Sequence, residues 1–156
     1  MEEEKKTKKV PFPQANDVEK IISIIRTEEQ KLSDNDFLMN MLNVTQRQIN
    51  YYLSASVFLG VLDSKRHFTE LGHSLINKGN EGLIIALSQL IISKPVFCEV
   101  FFNKLFNGEY LSIEEISQMI TINYELDNVE VADRRASTVK KWVSWIFSHV
   151  NISELE

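Results

Sequence analysis

The chain has 156 residues, 44% hydrophobic and 25% charged, a balance that excludes a disordered or fibrous protein and fits one ordinary domain or two small ones. Its formal net charge is −5, so the chain is no polycation, and any nucleic-acid partner has to be met by a locally basic surface. One cysteine, Cys98, excludes an intrachain disulfide and a thiolate zinc cluster, and no apolar run reaches the roughly 20 residues of a membrane span, so the expected location is cytoplasmic, without membrane contact.

Residues 1–10 begin as acids followed by lysines, with neither apolar periodicity nor the greasy centre of a signal peptide, and read as a disordered tail. Pro11-Phe12-Pro13 ends that run. Asn16 or Asp17 then caps a helix over 17–27 whose apolar positions are Val18, Ile21, Ile22 and Ile25. Glu28–Leu32 carries no pattern and reads as a turn. Ser33 with Asp36 spells a capping box before a short helix over 34–42. After Asn43-Val44, Thr45 with Gln48 spells a second box and opens a helix over 45–59. Its inner face is Ile49, Tyr52, Leu53, Ser56 and Val57, which leaves Gln46, Arg47, Asn50, Tyr51 and Ser54 outside. A short helix, a tight turn and a longer helix make a helix-turn-helix layout, and Gln, Asn and Arg are the side chains that pair with adenine and guanine edges.

Gly60 stops that helix. Val61-Leu62-Asp63, the turn Ser64-Lys65-Arg66 and His67-Phe68 predict a short β-hairpin, a wing that would carry Lys65 and Arg66 to phosphate. A helix over 70–78 follows. From Asn80 onward two apolar helices are predicted, over 81–93 and 96–106, with Pro95 at the start of the second and Cys98 as a small core residue. Ser112 with Glu115 opens a helix over 112–122, and an acidic turn at 125–130 leads into a last helix over 131–149.

That last helix concentrates the chemistry. Ala132, Ala136, Val139, Val143, Ile146 and Val150 form one apolar stripe, opposite Arg134, Arg135, Ser137, Thr138, Lys140, Lys141 and Trp145. Four cations against Asp133 leave it locally +3. Thr45–Tyr52 laid over Ala132–Val139, 87 positions further on (132 minus 45), aligns Arg47 with Arg134 and Asn50 with Ser137. The overlay suggests two tandem units, 11–79 and 80–150, each with a reading helix. Catalytic patterns are thin by comparison. Asp63-Ser64-Lys65 matches the acid-x-Lys of metal-dependent nucleases but lacks a second carboxylate, His67, His73 and His149 share no metal spacing, and the five glycines form no phosphate loop. The expectation is therefore no enzyme, no cofactor and no small-molecule substrate.

The segments YYLSASVFLGVLDSKRHFTELG (51–72) and ADRRASTVKKWVSWI (132–146) resemble the tandem winged-helix DNA-recognition region of some type II restriction endonucleases and related stand-alone proteins, over about residues 11–150. The resemblance implies a mainly α fold with two winged-helix units and short hairpin wings. It also implies sequence-specific binding of double-stranded DNA as a target-recognition domain, alongside a separate nuclease domain or a homodimer partner. A stand-alone transcriptional regulator and a winged-helix protein-interaction module are the alternatives. The DNA-binding residues expected are those named above on the 45–59 helix, at the wing and on the 131–149 helix.

Overall fold

A computed structural model of the protein describes residues 12–124 and 129–155. The tail expected over 1–10, and residues 125–128 of the expected acidic turn, lie outside the described residues. Within them the chain forms eight α-helices: α1 (Val18–Ile25), α2 (Asn35–Leu42), α3 (Gln46–Phe58), α4 (Glu70–Ile76), α5 (Asn80–Ile92), α6 (Phe97–Asn107), α7 (Ile113–Tyr124) and α8 (Val129–His149). Each begins and ends within two residues of its expected range. Single 3₁₀ turns at Glu29–Ser33 and Ile152–Leu155 complete the order, the first where the sequence showed no periodicity because a lone anchor, the fully buried Leu32, is all it carries.

Local chemistry explains most boundaries. The Thr45 hydroxyl accepts from Gln48 N at 3.2 Å while Gln48 Oε1 accepts from Thr45 N at 3.0 Å, and Ser112 and Glu115 exchange the same pair at 3.0 and 2.9 Å. At α2 the cap is Asp34 rather than Ser33, its carboxylate accepting from Phe37 N at 3.1 Å. Asn43 ends α2 in the left-handed region at φ 56°, a conformation its short polar side chain tolerates, and this makes the tight turn into α3. Pro95 lies outside α6, which starts two residues later, after Val96 at φ 74°.

The expected wings are absent. Among the described residues there is no β-strand, only one isolated antiparallel bridge between Leu62 and Phe68, so the fold is all-helical and the winged-helix reading is overturned. A ladder has no room to grow there. Only three residues separate Leu59, the α3 C-cap, from the bridge partner's turn, and Thr69 is already the cap of α4. Side chains take up the remaining backbone groups: Asp63 Oδ1 accepts from Lys65 N and His67 N at 2.8 and 3.0 Å, and Glu29 Oε1 accepts from Phe68 N at 3.0 Å. The result is a clamped turn.

One core runs through both halves of the chain. Phe12, Phe58, Phe97, Tyr124 and Trp142 form a connected aromatic group, with Phe12 and Phe97 stacked at 5.4 Å and Phe97 against Trp142 at 5.1 Å. α8 packs against α5, α6 and α7, and residues 12–17 lie as an extended strap along another of its sides. The strap is fastened by Trp142 Nε1 donating to Ala15 O at 2.6 Å, Thr138 Oγ1 to Asn16 Oδ1 at 2.7 Å, and Asp17 N to the Tyr52 hydroxyl at 3.1 Å. Among the described residues no single helix is long and apolar enough to cross a membrane.

Candidate nucleic-acid interface

The face of α8 left open by these neighbours borders two recesses, which share Asn16 and Ser137. The first, about 590 Å³, lies between α3 and α8. Arg47, Tyr51 and Tyr52 come from α3, Thr45 and Gln48 from its capping box, Arg134 and Ser137 from α8, and Gln14 and Asn16 from the strap. No carboxylate lines it. Two acids adjoin its lining in sequence: Asp133, which takes the Ser117 hydroxyl at 2.6 Å, and Asp17, which lies on the second recess. Arg134 Nε reaches Gln14 Oε1 at 3.4 Å, and Arg47 Nε donates to the Tyr51 hydroxyl at 3.0 Å with its guanidinium over the ring at 5.8 Å. Behind this wall Arg135 is half-buried, and its Nε is buried without a hydrogen-bond partner. Burial first, and then the charge of Arg134, hold its pKa below the ordinary arginine value, against an opposing contribution from Tyr51.

The second recess, about 650 Å³, continues along α8 past Lys140, Lys141, Ser144 and Ser148. Lys140 Nζ stands 5.6 Å from the centre of the Tyr110 ring, which Lys104 also approaches at 4.8 Å. Asp17 is the carboxylate at its edge, and it is engaged with Glu19 N at 3.0 Å and Lys20 Nζ at 3.9 Å. The two recesses together make one groove with cations from two helices and hydroxyls between them.

The fold gathers some of the expected site residues and withdraws others. Arg47, Tyr51, Arg134, Ser137, Lys140 and Lys141 face the groove, with Arg135 behind it. Gln46 and Asn50 are exposed on α3 and Ser54 is half-buried there, but none lines either recess. Lys65 is exposed on the clamped turn, away from both. Three assignments change. Thr138 is fully buried under the strap and forms no part of an open line with Arg134 and Lys141, whereas Trp145 lines the second recess but is only 9% exposed, its Nε1 donating to Glu19 Oε2 at 2.8 Å. Arg66, at φ 66°, folds inward and donates to Leu32 O at 2.9 Å and Asn35 Oδ1 at 2.8 Å, a clasp rather than a phosphate contact. Sequence reasoning missed Gln14, Asn16, Gln48, Tyr110, Ser144 and Ser148. The first two belong to a segment without periodicity, whereas Ser144 and Ser148 were discoverable at i+7 and i+11 from Ser137.

Asp63 is occupied by backbone donors, and the described residues bring no three His, Cys, Asp or Glu side chains together as a metal-holding group. Fold and groove thus define an all-helical domain with a basic, hydroxyl-lined channel. The chain belongs to the family described as Domain of unknown function (DUF7226), whose pattern matches residues 19–151, from the first turn of α1 to just past α8. Compared with curated proteins and with solved structures, the chain matches none.

Proposed function

We propose that the protein binds double-stranded DNA along the groove between α3 and α8. The observation that carries this reading is the meeting of Arg47 and Arg134, from helices 87 positions apart (134 minus 47), in one recess that no carboxylate lines. A phosphate feels the field within a Debye length of about 8 Å, so a recess lined by two arginines and no carboxylate can attract it despite the −5 of the whole chain. The α2–turn–α3 arrangement sets Gln46 and Asn50 beside Arg47 on the exposed side of α3, where they can meet base edges. A cytoplasmic location belongs to the same reading, because DNA is there and the lone cysteine needs no oxidising compartment.

The rival, a protein-interaction module, requires an apolar face on α3 or α8. Tyr51 is half-buried and Trp145 buried, so neither helix offers one, which favours the polyanion. The test is fluorescence anisotropy of a labelled duplex across a salt series. If Arg47, Arg134, Lys140 and Lys141 each neutralise one phosphate, log K falls against log salt with a slope of roughly −3 to −4. Absence of binding at low salt, or binding indifferent to salt, rejects the proposal.

A further inference from the structure

At the far end of the second recess α8 meets α1. There Glu19 Oε2 accepts from Trp145 Nε1 at 2.8 Å and stands 3.6 Å from His149 Nε2, and the imidazole stacks on the Trp145 ring with centres 4.9 Å apart. The other ring nitrogen, Nδ1, lies 2.9 Å from Trp145 O. A carbonyl oxygen can only accept, so Nδ1 carries the hydrogen, and in the neutral ring Nε2 is then a bare lone pair turned toward a carboxylate oxygen. Two acceptors face each other. A proton on Nε2 turns that opposition into an ion pair and puts a cation on a side chain that is 39% exposed and lines the same recess as Lys140 and Lys141.

We propose that His149 is a proton-dependent member of the groove, which strengthens the binding of a duplex when its ring is charged. The inference rests on the groove being a nucleic-acid interface. In the charged ring both N–H groups are engaged, one by Trp145 O and one by Glu19, so His149 acts through its charge and not by donating to phosphate. Its gain is also the neutralising of Glu19, the acid beside the recess. Among the described side chains the charged or titratable groups around the ring are Glu19 of α1, Asp17 of the strap, engaged with Lys20, Lys140 and Lys141 of α8, and the Tyr110 phenol. Of these side-chain types imidazole is the one that changes charge between about pH 5 and 8. The other two histidines stand elsewhere, His67 at 3.7 Å from Asp63 on the clamped turn and His73 against the Phe68 ring at 5.8 Å.

Anisotropy of a labelled duplex over a salt series, at about pH 5.5 and again at about pH 8, tests it. The parent should bind about three- to tenfold more tightly at the lower pH, with a salt slope steeper there by up to about one. His149→Gln should show the parent's shallower slope at both pH values, and His149→Lys, a permanent cation, the steeper slope at both. Glu19→Gln keeps an oxygen for the indole but removes the anion, so the midpoint of affinity against pH should move down. His67→Gln should behave as the parent. Each variant is first checked by circular dichroism for an unchanged helical spectrum. Equal slopes at the two pH values in the parent, or a pH response undiminished in His149→Gln, overturns the role of His149 and leaves the DNA interface standing. Absence of duplex binding at both pH values removes the DNA reading and the role of His149 with it.

Discussion

Thr138 and Lys141 sit less than one turn apart on α8 and carry opposite duties. The Thr138 hydroxyl is fully buried and donates to Oδ1 of the exposed Asn16 at 2.7 Å, so Thr138→Val removes one hydrogen bond whose acceptor can turn to water and should cost about 0.5–1.5 kcal/mol in urea unfolding. Duplex affinity of the refolded variant should stay near that of the parent. Lys141 is exposed at the edge of the groove, so Lys141→Ala should leave unfolding unchanged while lowering duplex affinity and reducing the salt slope by about one. Equal losses of affinity for the two variants would mean that the hydroxyl reaches DNA, contrary to its burial. The sequence placed both on one exposed line because i, i+4 and i+7 spacing reports only which side chains share a face. It cannot report that a distant segment will cover that face.

Between α3 and α4 the chain reverses in a turn held by the single Leu62–Phe68 bridge, by the backbone bonds Asp63 N to His67 O and Thr69 N to Val61 O, and by side-chain acceptors, and Gly72 is what lets α4 close on it. A Cβ at Gly72 would overlap the Val61 carbonyl oxygen and stand 3.1 Å from the Phe68 ring. Gly72→Ala should therefore destabilise the protein by about 1–3 kcal/mol, read as a lower denaturant midpoint, with the helical spectrum retained. An unchanged midpoint would mean that α4 can shift freely. Helices were the legible part of this fold. Asp17, Thr45, Thr69 and Ser112 each cap a helix where the sequence places one, since capping depends on residues three positions apart. The turn at 61–69 was misread as a wing because its alternation and polar tip are equally the marks of a hairpin. The groups that cancel it, Glu29 for the Phe68 N–H and Leu32 and Asn35 for Arg66, lie over thirty positions earlier.

At the scale of the whole molecule, α8 is a central beam whose apolar stripe was readable, while its surroundings were not. Trp142 is fully buried although it stands off that stripe, because helices and strap cover α8 on more sides than a one-sided pattern allows. Two tyrosines tie separate parts of the assembly. The Tyr52 hydroxyl accepts from Asp17 N at 3.1 Å, and the Tyr124 hydroxyl donates to Pro95 O at 3.2 Å. Burial is the main cause that raises both phenols above their ordinary 10.0. A raised folded-state value means stability that is complete below about pH 10 and lost as pH climbs through the folded values. Stability measured against alkaline pH should decline there together with phenolate absorbance, and Tyr52→Phe and Tyr124→Phe should each flatten the decline. A decline unaltered in both variants would place the alkaline sensitivity elsewhere.

The strap has a further consequence, one of timing. Its links to α8 span 120 to 127 positions along the chain, so the groove has one wall from the beginning of the described sequence and the other from near its end. During synthesis α1 to α4 can form local contacts as they emerge, and Phe12 can meet Phe58, but Ala15 and Asn16 gain their hydrogen-bond partners on α8 only once that helix has left the ribosome. Closing so long a loop is slow relative to local pairing. The hollow between Arg47 and Arg134 cannot exist before α8 is made, and a nascent chain halted before α8 carries Arg47 of α3 without the wall that faces it.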